Sequence, residues 1–467
     1  MSFATQSAVS LLSDLASRKV SAEELMSWTL ERIASVNPAL NAIVALREAE
    51  VLMAEARAKD AGPVTGPLHG LPIAVKDLVN VKGVPSTQGS PIYANFVPDT
   101  DDMLAADLRA AGAILIGKTN VPEFGLGSHT FNPVYGATGN PYDPSVTCGG
   151  SSGGAAVALA TGMTALADGS DMMGSLRNPA GWCNVYGFRP SWGRVLGEPI
   201  GDNFLHHLST LGPMGRSPAD IAVLLDVLSH PDPRQPHGMV CPPAAPLEAA
   251  DLTGMRIGWL GDWGGAYPFE PGILSLCEDG LEVMRGLGAQ VEEVAAPFPS
   301  EQIWDSWTTL RSWQVSAGLA LLQDQKAQLK NSAMWELERG LAMSAQEVHK
   351  ASVQRSDWFK SAAQLFEKYD AMVLPTAQVW PFATSKPWPT EIAGQQMDTY
   401  HRWMEAVVPV SLLGLPSLAM PVGFGEAGLP MGMQMFGPRG SDAKILAMGE
   451  AYHRATEWPQ KYPAAGE

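Results

Sequence analysis

Ser175 lies 24 residues after Ser151, each in a glycine-rich loop, and a lone lysine, Lys76, closes an apolar run upstream. The first loop reads Cys148-Gly149-Gly150-Ser151-Ser152-Gly153-Gly154. The second reads Gly169-Ser170-Asp171-Met172-Met173-Gly174-Ser175 and continues into Leu176-Arg177. The run before the lysine is Leu71-Pro72-Ile73-Ala74-Val75. Serine is a weak nucleophile unless a base sits within hydrogen-bond reach. A lysine can be that base when neutral, and burial favours the neutral form because the ammonium loses its hydration. Ser–Lys pairs are a known variant of the serine–histidine arrangement. The small residues before Ser175 let the backbone N–H groups of Met172, Met173, Gly174 and Ser175 converge where a carbonyl oxygen gains charge. One such donor typically lowers the barrier by about 3–4 kcal/mol. Together these residues can transfer an acyl group through serine without a histidine.

Blander readings fit the same residues less well. Ser151 alone would be a solvated loop serine, and Lys76 a strand-end lysine reaching for water. Gly149-Gly150-Ser151-Ser152-Gly153 also matches a nucleophile elbow, but that needs an apolar strand just before it. Asn140-Pro141-Tyr142-Asp143-Pro144 is a turn-rich loop instead. The glycine loop has no Gly-Lys-Ser/Thr ending for a phosphate. His206 and His207 form no metal-ligand spacing with carboxylates, so neither a metal nor an organic cofactor is expected. Ser152 is expected to hydrogen-bond its own loop, and Asp171 and Arg177 to brace the second one.

These loops need a scaffold. Residues 7–60 read as helical with one interruption, and Ser21-Ala22-Glu23-Glu24 is a capping box whose helix should stop near Pro38. Strand-like runs at 42–46, 71–76, 113–116 and 164–167 alternate with helices at 103–111 and 155–161. The proline-rich stretch 229–246 reads as a surface connection. Residues 301–370 look helical, and strands return at 255–260, 371–376, 418–422 and 431–435. The pattern predicts an α/β protein with a large mixed, mostly parallel β-sheet flanked by helices. Strands so far apart in sequence predict one domain over residues 1–467. Eight of the 14 tryptophans fall between 304 and 403. Trp304, Trp307 and Trp313, with Met172 and Phe131, are expected beside an apolar pocket on the helical, substrate side (300–400).

Further matches extend the pattern. They include His69-Gly70-Leu71-Pro72, Gly117-Lys118-Thr119-Asn120 with Glu123, and Gly139-Asn140-Pro141. The run Val185-Tyr186-Gly187-Phe188-Arg189-Pro190-Ser191-Trp192-Gly193-Arg194 follows, then Gly414-Leu415-Pro416 and Gly428-Leu429-Pro430 with Gln434. Taken together the chain resembles the amidase signature family over nearly its whole length, with a signature core at 65–200 and the weakest match at 230–400. The resemblance implies Ser175 as nucleophile, Ser151 as a proton relay following a cis peptide bond, and Lys76 as base. It implies hydrolysis of the C–N bond of an aryl or alkyl amide, with a small-molecule amide as the only partner besides a homodimer, which is common in proteins of this kind. One position departs: Met173 stands where the pattern has the first of two glycines. A positive φ there would strain a methionine by about 1 kcal/mol or more. A negative φ would only reshape the pocket wall, and is the preferred reading.

Composition agrees with a globular enzyme: 467 residues, 46% hydrophobic and 17% charged. The net charge of −17, from 48 acids against 31 bases, disfavours nucleic acid and anionic membranes. Four unpaired-looking cysteines and a leaderless Met1–Gln6 suggest the cytoplasm. Two rival readings remain: an amidotransferase-type subunit releasing ammonia from glutamine, and a catalytically silent binding protein.

Overall fold

The computed structural model describes residues 3–463; the leader reading at Met1 and Ser2 lies outside them. The N-terminal region is helical, with helices Ala8–Ala16, Ala22–Leu40 and Ala49–Ala61. Ser21 caps the second helix through its Oγ, which accepts from Glu24 N–H at 3.0 Å. The Asp60 carboxylate accepts from the next two free donors, Ala22 and Glu23 N–H, at 2.7 and 2.9 Å. This helix passes Pro38 and ends at Leu40, near the predicted stop. Proline removes only its own i→i−4 bond, which is cheap in a last turn. The stop comes from Asn41, in the left-handed region at φ 53°, whose N–H returns to Asn37 O at 2.7 Å.

Two sheets carry the site. The smaller holds β1 (Ile43–Val44), β2 (Pro72–Lys76) and β3 (Ile114–Thr119); β3 is central, antiparallel to β1 and parallel to β2. The larger has eight strands: β4 (Leu166–Asp171), β5 (Tyr186–Arg189), β6 (Thr210–Gly215), β7 (Arg256–Trp259), β8 (Gln290–Glu293), β9 (Ala371–Pro375), β10 (Ser417–Phe424) and β11 (Pro430–Phe436). Their order is β8-β7-β9-β11-β10-β5-β6-β4. The sheet is mixed and flanked by helices, as the sequence predicts. The expected parallel majority is corrected: only β8/β7 and β9/β7 run parallel, and the five other ladders are antiparallel. The β10–β11 connection is too short for a crossover, so those neighbours must reverse direction.

The helix Gly153–Ala160 is buried at every position. Its sequence, GGAAVALA, has no polar face because none meets water, and the absence of large side chains lets it lie close against the sheets. The predicted helical region resolves into Ser300–Leu319, Asn331–Ala342 and Ala345–Leu365, with a 3₁₀ stretch at Ala320–Gln328. Ser344 and Glu347 close a reciprocal capping box at the start of the last helix. Between Leu228 and Arg256 the chain forms no helix or strand, matching the predicted connection. One apolar cluster runs from Ala8 to Tyr452 and joins both sheets to the helices.

Candidate active site

Lys76 is the last residue of β2, and β4 lies beside it: Lys76 N–H donates to Asp168 Oδ1 at 3.0 Å. Asp168 and Ser170 share one face of β4 by the two-residue period of a strand, and that face meets the lysine. Lys76 is 1% exposed. Its Nζ lies 2.8 Å from Ser151 Oγ, 2.8 Å from Ser152 Oγ and 2.9 Å from Ser170 Oγ. Burial brings its pKa down to about 7, against the opposing pull of Asp168 and Asp171. A neutral amine has two N–H donors and one lone pair. Among three hydroxyl neighbours it therefore donates to two and can take a proton from the third. Burial also lifts the Asp168 carboxyl to about 6, opposed by the Lys76 N–H and the Lys118 charge.

The first loop presents Ser151 directly after a cis Gly150–Ser151 peptide bond. Gly149 holds φ +81°, and a Cβ there would collide with Asn178 Oδ1. Ser152 reaches beyond its own loop: its Oγ meets Lys76, and its N–H donates to Ser175 O at 3.3 Å, tying the two loops together.

The second loop leaves β4 at Asp171 and enters the short helix Asn178–Trp182. Asp171 is fully buried and organises the turn. Its carboxylate accepts from Gly174 N–H at 2.9 Å, Leu176 N–H at 3.1 Å, Arg177 at 2.9 Å and Arg189 at 3.0 Å. Burial alone would raise its pKa, but Arg177 and Arg189 outweigh that and hold it well below the usual carboxylate range. Arg177 reaches on to Val407 O, Ser411 and Gln434, so the loop is anchored to β11. Met173 is not among the residues with positive φ; Gly174 is, at +79°. The methionine is thus accommodated without left-handed strain. Of the four backbone donors expected to face a substrate oxygen, that of Gly174 is taken by Asp171. Those of Met172, Met173 and Ser175 have no acceptor among the described residues.

Ser151, Ser170 and Ser175 open into one cavity of about 540 Å³. Its walls are mainly apolar, including Leu78, Phe124, Leu126, Met172, Leu319 and Leu322, and Arg311 is the one charged residue among the described residues that line it. A second cavity of about 640 Å³ adjoins it, and both share Ile200, Ser209, Gln314, Gly318 and Leu321. Of the five predicted pocket residues only Met172 lines the cavity. Trp307 is fully buried in the core, and Trp304 packs beneath the Arg402 guanidinium at 4.5 Å. Trp313 sits edge-on to His206 at 4.5 Å, and Phe131 packs against His129 at 4.6 Å. The correction has a geometric reason. The Ser300–Leu319 helix touches the cavity through 311, 314, 315, 318 and 319, the face of its C-terminal half. Trp304 and Trp307 lie a turn or more earlier, and Trp313 points about 200° away from Arg311. Ser170, Asp168 and Arg311 were missed. The alternation Asp168-Gly169-Ser170 was a legible signal for the first two; nothing local marked Arg311.

Among the described residues no group of His, Cys, Asp or Glu is arranged to hold a metal ion. Nor is any helix of the described residues long and apolar enough to cross a membrane.

The amidase family pattern matches residues 24–446, and the chain belongs to that family, the amidase signature enzymes. It is 33% identical to a glutamyl-tRNA(Gln) amidotransferase subunit from Chloroflexus aurantiacus, over 96% of each chain. It is 31% identical to an acylamidase from Rhodococcus erythropolis, over 98% of this chain and 97% of that one. The crystal structure of a bacterial aryl acylamidase superposes with a TM-score of 0.91 at 28% identity, covering 98% of both chains.

Proposed function

We propose that the protein hydrolyses the C–N bond of an aryl or alkyl carboxylic amide through an acyl-enzyme on Ser175. The observation that carries this reading is the buried Lys76 Nζ, 2.8 Å from the Oγ of Ser151, a residue that lines the same cavity as Ser175. Ser175 Oγ bonds to the amide carbon as its proton passes to Ser151 Oγ and the Ser151 proton to Lys76. The carbonyl oxygen becomes an oxyanion, met by the free N–H groups of the Met172–Ser175 turn. Lys76 returns the proton through Ser151 to the departing nitrogen, and the C–N bond breaks. Water repeats the sequence on the acyl-enzyme and releases the acid.

The second reading is a glutamine-cleaving component of an amidotransferase, favoured by the 33% identity to the Chloroflexus protein. The cavity speaks against it. Glutamine carries a charged amino-acid end, while Arg311, the one charged residue described in this wall, is already paired with Glu336 at 2.7 Å. An apolar wall suits an aryl or alkyl arm better.

A panel of anilides, primary aryl amides, fatty amides and glutamine, run with Ser175→Ala, tests both readings. Turnover of anilides or aryl amides that Ser175→Ala abolishes is the expected result. Turnover of glutamine alone would overturn the proposal in favour of the amidotransferase reading.

A further inference from the structure

Arg311 is 3% exposed, yet it lines the cavity that holds Ser151 and Ser175. A guanidinium carries five N–H donors. Nε donates to Glu336 Oε1 at 2.7 Å, and one terminal nitrogen donates to Tyr400 Oη at 2.8 Å. The other terminal nitrogen, Nη1, has only Met172 Sδ, at 3.3 Å. A thioether is a weak acceptor, and two of the five N–H groups have no acceptor at all among the described residues. Buried donors are rarely left so poorly matched, and Met172, the partner of Nη1, lines the same cavity as Arg311.

We infer that Arg311 is a specificity-determining residue that donates from Nη1 to a second, neutral carbonyl oxygen of the substrate, distinct from the scissile one. The substrate class is then an amide bearing a further carbonyl, such as an acylated amino amide or a diamide. This rests on the amidase reading above. The partner is neutral because the charge is already balanced. Glu336 is fully buried, accepts from Arg311, from Ser312 Oγ at 2.6 Å and from Tyr400 Oη at 2.7 Å, and leaves the network with no net charge. A substrate carboxylate would add a second buried anion to one cation, which is costly. A carbonyl oxygen asks for the donor and brings no charge.

The competing role is structural: Arg311 could hold only Met172, and through it the nucleophile loop. A substrate ratio separates the two, because a displaced loop slows all substrates alike. The test uses p-nitroanilides of equal length in which a second carbonyl is moved along the acyl chain. Each is compared with analogues carrying a methylene or a carboxylate at that place. In the wild-type protein one position of the carbonyl should raise kcat/KM roughly ten- to a hundredfold over the methylene analogue, the yield of one hydrogen bond to a charged donor. The carboxylate analogue should be poorer than the carbonyl one. Arg311→Met should collapse the carbonyl-to-methylene ratio to near one. Arg311→Met combined with Glu336→Gln does the same without stranding a buried anion. Equal turnover of carbonyl and methylene analogues at every position, a ratio that survives in both variants, or a preference for the carboxylate would overturn this inference alone. No turnover of any anilide would overturn the amidase reading and this inference with it.

Discussion

A base that works at neutral pH has to be made from lysine by removing water. Lys76 is 1% exposed and its pKa is about 7, so near neutrality a large share of molecules holds the neutral amine. The protonated form cannot take the serine proton. Below about pH 7 kcat/KM should therefore fall towards tenfold per pH unit, and above it the profile should level off. Asp168 titrates close by, with a carboxyl near 6, so the inflection belongs to the pair. Asp168 charge stabilises the ammonium, and Asp168→Asn should move the inflection to lower pH. A profile flat between about pH 5 and 9 would remove Lys76 from the role of base.

At the scale of elements, the site is the meeting of two strand ends and two loops. β2 delivers Lys76, β4 delivers Ser170 and Asp171, and the turn after β4 is held by Gly174 and Leu176 N–H donating to the Asp171 carboxylate, which leaves the N–H groups of Met172, Met173 and Ser175 free. Gly174 makes that turn possible. It holds φ +79°, and a Cβ there would meet Val407 Cγ2 at 2.8 Å, a stiff, buried neighbour. Gly174→Ala should destabilise the fold by about 1–2 kcal/mol from the left-handed backbone alone. Displacing one oxyanion donor should lower kcat about a hundredfold or more. Urea unfolding and anilide kinetics on the purified variant check both, and wild-type behaviour in either would refute this account of the turn. Met173 beside it needs no such freedom, which is why the departure from two glycines is tolerated.

At the scale of the whole molecule, residues 311–322 line the cavity that holds the serines and make the serine cluster part of a cleft. The two cavities meet at Gly318, where a Cβ would touch nothing within 4 Å. Gly318→Trp should block the passage between them without disturbing the helix, which gains roughly a few tenths of a kcal/mol from exchanging glycine for tryptophan. The ratio of kcat/KM for a short acyl anilide to that for a long one should rise at least about tenfold, the scale of a few lost methylene contacts. An unchanged ratio would show that substrates use only the first cavity.

How far each scale was legible in sequence follows from the range of the interactions involved. Local chemistry wrote the serine loops, the terminal lysine of an apolar strand, the Ser21 cap and the buried small-residue helix into consecutive residues. Spacing within one segment was enough to read them. The mixed character of the sheet was legible, but its antiparallel majority was not, because ladder direction depends on which distant strands become neighbours. The same limit hid the pocket wall. Tryptophan content between 304 and 403 pointed to a pocket wall, yet Trp307, Trp358 and Trp403 are buried in the core. Which helix face meets the serines is decided by how that helix docks on the rest of the chain. That docking brought Arg311 rather than Trp304 or Trp313 to the cavity. It also gave Ser152 and Ser170 to Lys76, which only packing across 76 and 94 residues of chain could do. The sequence by itself determined the nucleophile, relay and base candidates and the turn that carries them. Only the tertiary structure decided what surrounds them, because desolvation and pocket shape arise from contacts between segments that share no local pattern.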